Sequence, residues 1–197
     1  MNPGPTDLVV TSCGARFRGR HLPCATGYSG IGEKTREGDG LSPAGRFRIV
    51  AVMYRPDRVS LHVPRLFRRR TGLPDLRWSM ATPCSKVRSA RVRKTGPGDI
   101  WSDDPADPAY NRHVSVVDGT EYPYSHERLW RASPMYDLIA VLDFNLQDPV
   151  PGHGSAIFLH AWRGPRYPTA GCIAFPREIL AEIIESWLPH ARVFIHR

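Results

Sequence analysis

Two residues in the stretch 154–175 have side chains that could do nucleophilic chemistry together, His160 and Cys172. A thiol is a poor nucleophile until ionised, and an imidazole beside it both accepts the proton and stabilises the thiolate. Gly171, directly before the cysteine, permits dihedrals that other residues resist and lets a carbonyl approach the backbone closely. Backbone N–H groups at Gly171 and Cys172 are therefore candidate donors to the oxyanion of an acyl transfer. An inert buried cysteine and a hydrogen-bonded core histidine fit the same spacing, because one Cys and one His form a weak pattern by themselves.

Several elements must position this pair. Residues 155–161 read as a strand with Ala156, Phe158 and His160 on one face, which puts the histidine at the strand's end. Arg163, Gly164, Pro165 and Pro168 break regular structure, so the chain turns and can return Thr169-Ala170-Gly171-Cys172 towards His160. The continuous apolar run at 136–144 predicts a buried central strand. Pro176 opens a helical pattern with Leu180, Ile183, Ile184, Trp187 and Leu188 on one face, Pro189 ends it, and 192–196 closes the chain as a strand. Nearer the start, strands at 8–10 and 20–25 are expected, with the turn between them marked by Gly14 and Gly19. The glycine-dense span 27–45 reads as loop with Asp39 supporting a turn, and 46–54 as one strand with Phe47, Ile49, Ala51 and Met53 alternating with their neighbours. Residues 95–112 read as a long ordered loop in which Asp103, Asp104 and Asp107 serve turns and caps and Trp101 and Tyr110 join the core, and 121–135 as holding a short helix.

With 197 residues the chain suits one domain, 8–197, preceded by a short tail, 1–7. Its pattern is mainly β with a few helices. A net charge of +8 implies affinity for something anionic. Arg65, Arg68, Arg69 and Arg70, extended by Lys86, Arg88, Arg91, Arg93 and Lys94, fit either a polyanion patch or a solvated face. The cluster lacks the interleaved aromatics of single-strand binders, so no specific nucleic-acid partner is assigned. Cys13, Cys24, Cys84 and Cys172 have neither metal-ligand spacing nor the density of a disulfide framework, so free thiols and no metal are expected. No run of 18 apolar residues predicts a membrane-spanning helix, and residues 1–7 lack the pattern of a secretory signal.

Two motifs in order carry a resemblance. His160, a loop and then Thr169-Ala170-Gly171-Cys172-Ile173 resemble the signature of the L,D-transpeptidase family of YkuD type, and Ser42-Pro43-Ala44-Gly45-Arg46-Phe47 is similar to its Thr-Pro-x-Gly-x-Phe motif. Arg36-Glu37-Gly38-Asp39-Gly40, Trp101-Ser102-Asp103-Asp104-Pro105, Tyr110-Asn111-Arg112 and residues 154–160 look like one branch of that family, so the likeness covers roughly residues 8 to 196. It implies a β-sandwich or barrel-like catalytic fold and an acyltransferase acting on peptidoglycan stem peptides. Cys172 would be the nucleophile, His160 the general base and acid, Gly171 a backbone oxyanion donor, and Thr169 an organiser of the substrate-binding loop. The chemistry needs no cofactor. Carbapenem-type β-lactams would acylate the same thiol, and the site of action would be the periplasm or cell envelope, with the cytoplasm left open by residues 1–7.

Ala170 and Ala174 stand where many members carry a histidine and a polar or basic residue, and the loop between His160 and Cys172 is short for the family. Arg163 and Arg166 are candidate replacements for a lost contact to a substrate carboxylate, since guanidinium pairs well with carboxylates. Two alternatives to cross-linking or D-amino-acid exchange remain at this level. One is hydrolysis of the same acyl-enzyme by an L,D-carboxypeptidase or amidase. The other is a non-catalytic protein that binds cell wall or another polyanion.

Overall fold

A strand apolar at every position needs a layer on each side, and the run at 138–142 has both. The computed structural model describes residues 2–60, 90–117 and 120–197. The basic residues Arg65, Arg68, Arg69, Arg70, Lys86 and Arg88, and Cys84, lie outside the described residues.

The chain opens as β1 (Leu8–Thr11), β2 (Gly14–Phe17) and β3 (Arg20–Leu22), then β4 (Ile31–Gly32), β5 (Ser42–Pro43), β6 (Gly45–Phe47) and β7 (Ile49–Tyr54). It continues as β8 (Arg91–Lys94), β9 (Asp99–Ser102), β10 (His113–Ser115), β11 (His126–Arg128), a 3-10 turn at Pro134–Tyr136 and β12 (Leu138–Leu142). Last come β13 (Phe158–Ala161), β14 (Ile173–Phe175), the helix α1 (Arg177–Glu185) and β15 (Val193–Ile195). One sheet has the order β3-β2-β1-β15-β6 and a second the order β14-β13-β12-β7-β8, while β10-β9-β11 form a third and β4-β5 a short pair. The fold is mainly β.

β12 sits in the middle of the second sheet, antiparallel to β7 and β13, with all five residues buried. Leu138, Ala140 and Leu142 join Leu8, Val10 and Phe17 of the first sheet and Leu180, Ile183 and Ile184 of α1 in one core. Ile139 and Val141 join Trp101, Leu129 and Tyr136 in a second core on the opposite face. Each fully buried Leu or Phe in these layers stabilises by about 1.5–3 kcal/mol relative to leaving it exposed.

Five expectations are revised, the first for the span 27–45, where the pairing of Ile31 with Ser42 and Gly32 with Pro43 makes β4 and β5 a short parallel pair within the expected loop. The span between Gly14 and Gly19 is the strand β2, with the turns at its two ends. Residues 46–54 are two strands in two sheets, because β6 pairs with β15 while β7 pairs with β12. At the crossing the Arg48 N–H and Nε donate to the Asp143 carboxylate at 2.7 Å each, which anchors the corner. A register shift opposite Val141 and Leu142 then breaks the alternation, so Ile49 and Val52 face the first core and Met53 the second. Residues 95–112 contain β9, whose four residues are all buried. Residues 121–135 hold β11 and the start of the 3-10 turn in place of a helix, since pairing with β9 buries Leu129 and Trp101 together.

Candidate active site

β13 and β14 are adjacent and parallel, with Leu159 beside Ile173 and His160 beside Ala174. Parallel neighbours need a connection that leaves the sheet, and the proline- and glycine-broken loop 162–172 supplies it. Because strand side chains alternate, Phe158 and His160 share the second-core face and Cys172, just before β14, comes in beside Phe158. The Phe158 N–H lies 3.3 Å from Cys172 Sγ, and the thiol donates to Ala156 O at 3.1 Å. Ala156 precedes the strand in the left-handed region at φ 53°, so it shares the site through a turn and not through the strand's face. Such a conformation costs on the order of 1–3 kcal/mol and needs fixing from outside. Asn111 fixes it. The Asn111 Oδ1 accepts from Ala156 N at 3.1 Å and from Trp101 Nε1 at 3.0 Å, while its Nδ2 donates to Asn145 O at 2.5 Å.

The cysteine loop is held from both sides. Thr169 Oγ1 donates to Cys172 O at 2.6 Å and accepts from Gly171 N at 3.1 Å. Ser42 Oγ accepts from Gly27 N at 2.9 Å and donates to Gly171 O at 2.8 Å, which ties β5 to the loop. Gly171 has φ 143°, and a Cβ there would stand 2.8 Å from Leu41 O. Only glycine fits. Thr169 thus turns its hydroxyl to the backbone, and the Gly171 N–H is engaged with that hydroxyl.

His160 is 4 % exposed, and its Nδ1 pairs with Ala161 O at 2.8 Å. The carbonyl can only accept, which assigns the proton to Nδ1 and the lone pair to Nε2. The Tyr136 ring meets the imidazole edge to face at 5.4 Å between centroids. Burial pulls the imidazole pKa down to about 4. Burial also pushes the Cys172 thiol up to about 12. At neutral pH both groups are therefore uncharged. Among the described residues the thiol bonds to Ala156 and Phe158 and not to the imidazole, while both side chains line one cavity of about 380 Å³.

Of the other residues singled out from sequence, Thr169 and Arg163 also line this cavity, and Arg163 stacks its guanidinium over Tyr167 at 5.1 Å. Arg166 is exposed and does not line it. Asp104 and Asp107 accept from Ala106 N and Ala109 N as turn residues, whereas Asp103 reaches the cavity. Lys34, Glu127, Arg131 and Tyr136 line it as well and were not singled out for a role. They come from loops and short strands with no local motif, so only their convergence marks them. Cys13 and Cys24 are free thiols.

Fold and site together define a β-rich protein in which His160 of β13 and Cys172, just ahead of the parallel β14, face a common cavity. The profile of the YkuD family, the L,D-transpeptidase catalytic domain, matches residues 14–195, and the chain belongs to that family. No curated protein and no solved structure matches it.

Proposed function

We propose that the protein is a cysteine-dependent L,D-transpeptidase that handles peptidoglycan stem peptides through a thioester acyl-enzyme in the cell envelope. The observation that carries this reading is the placement of His160 on β13 and of Cys172, just ahead of the parallel β14, against one cavity. A family that acts on peptidoglycan peptides supplies the substrate class.

Because thiol and imidazole are both neutral at rest, the nucleophile is made at the moment of attack. Cys172 Sγ adds to the carbonyl at the L-centre of an L,D peptide bond while His160 Nε2 takes the thiol proton. Leaving Ala156 O frees the thiol for this transfer. The Gly171 N–H is committed to Thr169, so the Cys172 N–H is the proposed oxyanion donor, a revision of the pair expected from sequence. Collapse of the tetrahedral intermediate breaks the C–N bond, and the imidazolium returns its proton to the departing amine. An acceptor amine or water then attacks the thioester, again with His160 as base. The backbone carbonyl of Ala161 holds the tautomer throughout, so no carboxylate is required behind the ring.

The test is mass spectrometry of wild type, Cys172→Ala and His160→Ala incubated with tetrapeptide muropeptides and a D-amino acid. Loss or exchange of the terminal residue by wild type alone supports the reading, and the ratio of exchange to hydrolysis divides transferase from carboxypeptidase. Wild-type protein that forms neither product nor thioester adduct contradicts it. A carbapenem should add its own mass to Cys172 in wild type and not in Cys172→Ala.

A further inference from the structure

Resting on that reading, we propose that Lys34 and Ser155 form the subsite that holds the terminal carboxylate of the donor peptide, the task that Arg163 and Arg166 suggested themselves for in the sequence. Both residues line the same cavity as Cys172 and His160. Ser155 is 6 % exposed, and its Oγ has no hydrogen-bond partner among the described residues. A buried hydroxyl left in that state costs about 1–3 kcal/mol, so it marks a place where a polar ligand group is wanted.

Lys34 supplies the charge beside it. Its side chain is 3 % exposed, and Nζ donates to Asp39 Oδ1 at 2.5 Å. Asp39 is itself anchored, because Oδ1 also accepts from Leu41 N at 3.0 Å. An ammonium has three donors, and the Asp39 bond uses one. The lysine stem runs over Gly154, the residue before Ser155: a Cβ on Gly154 would stand 2.5 Å from Lys34 Cε. The glycine therefore makes room for the lysine to reach the serine's neighbourhood. Ala156, whose carbonyl receives the thiol proton at rest, follows Ser155 directly. A carboxylate held by Lys34 and Ser155 would thus lie near the thiol, as the terminal carboxylate of a leaving amino acid must.

The rival cations are placed differently. Arg163 is exposed and lies over Tyr167, and Arg131 Nη2 lies 3.1 Å from the Glu127 carboxylate. Among the cavity carboxylates, Glu37 accepts from Tyr110 Oη.

Alkylation of Cys172 by iodoacetate and by iodoacetamide tests the subsite without any cell-wall substrate, because the two probes differ in carrying a carboxylate or an amide. Peptide-resolved mass spectrometry gives the rate ratio at Cys172, with the exposed Cys13 as reference in the same sample. In wild type the acetate-to-acetamide ratio at Cys172 is expected to exceed that at Cys13 by about tenfold, the scale of a charge-assisted contact. It should fall to the Cys13 value in Lys34→Met and part of the way in Ser155→Ala. Should Lys34→Met fail to fold by circular dichroism, Ser155→Ala decides. A wild-type ratio equal to that of Cys13, or a ratio lost in Arg163→Ala but kept in folded Lys34→Met and Ser155→Ala, overturns the assignment. With tetrapeptide and its C-terminal amide as substrates, wild type should prefer the acid and Lys34→Met should not. Turnover of neither by wild type contradicts the acyl-transfer reading, while the alkylation ratio still judges the subsite.

Discussion

β13 turns one face to the first sheet and α1 and the other to the three-stranded sheet, and the two faces are built differently. Leu159 and Ala161 enter a core made of aliphatic and aromatic side chains, where close packing sets the energy. Phe158 and His160 enter a smaller core that contains the same kinds of residue, Trp101, Leu129 and Tyr136 among them, but opens onto the cavity. There the apolar packing holds a half-buried thiol and an imidazole whose Nε2 has no partner among the described residues, and burial keeps both uncharged. The difference teaches that the first face supplies stability and the second spends some of it on keeping a thiol and an imidazole uncharged beside a cavity.

If that division is right, substitutions on the two faces should separate activity from stability. His160→Gln should cost about 10²–10⁴-fold in kcat/KM on a tetrapeptide substrate, the range for removing a general base, while chemical denaturation shows the fold retained. Across the strand, Leu159→Ala should lower unfolding free energy by about 2–5 kcal/mol and leave the rate per folded molecule unchanged. A large loss of rate there would mean the faces are not independent. Asn111→Ala strips the partner from Trp101 Nε1 and from the left-handed Ala156, so about 1–3 kcal/mol of stability should go together with activity. This residue lies between the two behaviours, and activity surviving the substitution would show that the Ala156 turn does not need it.

The last effect is in the pH profile. His160 has a folded pKa of about 4 against an ordinary 6.5, so below 6.5 the unfolded chain takes up a proton that the folded chain refuses. Its contribution to stability is therefore complete above pH 6.5, is lost as pH falls from 6.5 towards 4, and changes no further below that. Denaturation series across this window should show the loss in wild type and its absence in His160→Gln. Activity should persist down the acid side until the imidazole protonates near pH 4. An acid limb near 6.5 would instead show that substrate-free burial does not set the imidazole's charge.

Much of this was legible in the chain. The apolar run at 138–142, the amphipathic pattern behind Pro176, and the order of His160, broken loop and Gly171-Cys172 each follow from periodicity or from residues whose backbone preferences are strong. Residues 46–54 were less so. Their alternation is real, but a crossing at Arg48 and a bulge beside Val50 reassign the faces, and neither leaves a glycine or proline to announce it. The helix expected within 121–135 gave way to β11 because pairing with β9 is a long-range gain that local propensity does not contain.

The sequence by itself determined that a strand carrying His160 would be followed by a broken loop returning Cys172 towards it, and which family the chain resembles, since each motif is made of residues close together along the chain. Only the tertiary structure decided that the imidazole and thiol would be neutral and that Asn111 would hold the Ala156 turn. It alone brought Lys34 against Gly154, beside a Ser155 hydroxyl with no partner among the described residues. The physical reason is that burial, desolvation and hydrogen-bond satisfaction depend on what packs around a group, and here those neighbours come from residues 34, 111 and 136, far from residues 154–175 in the chain.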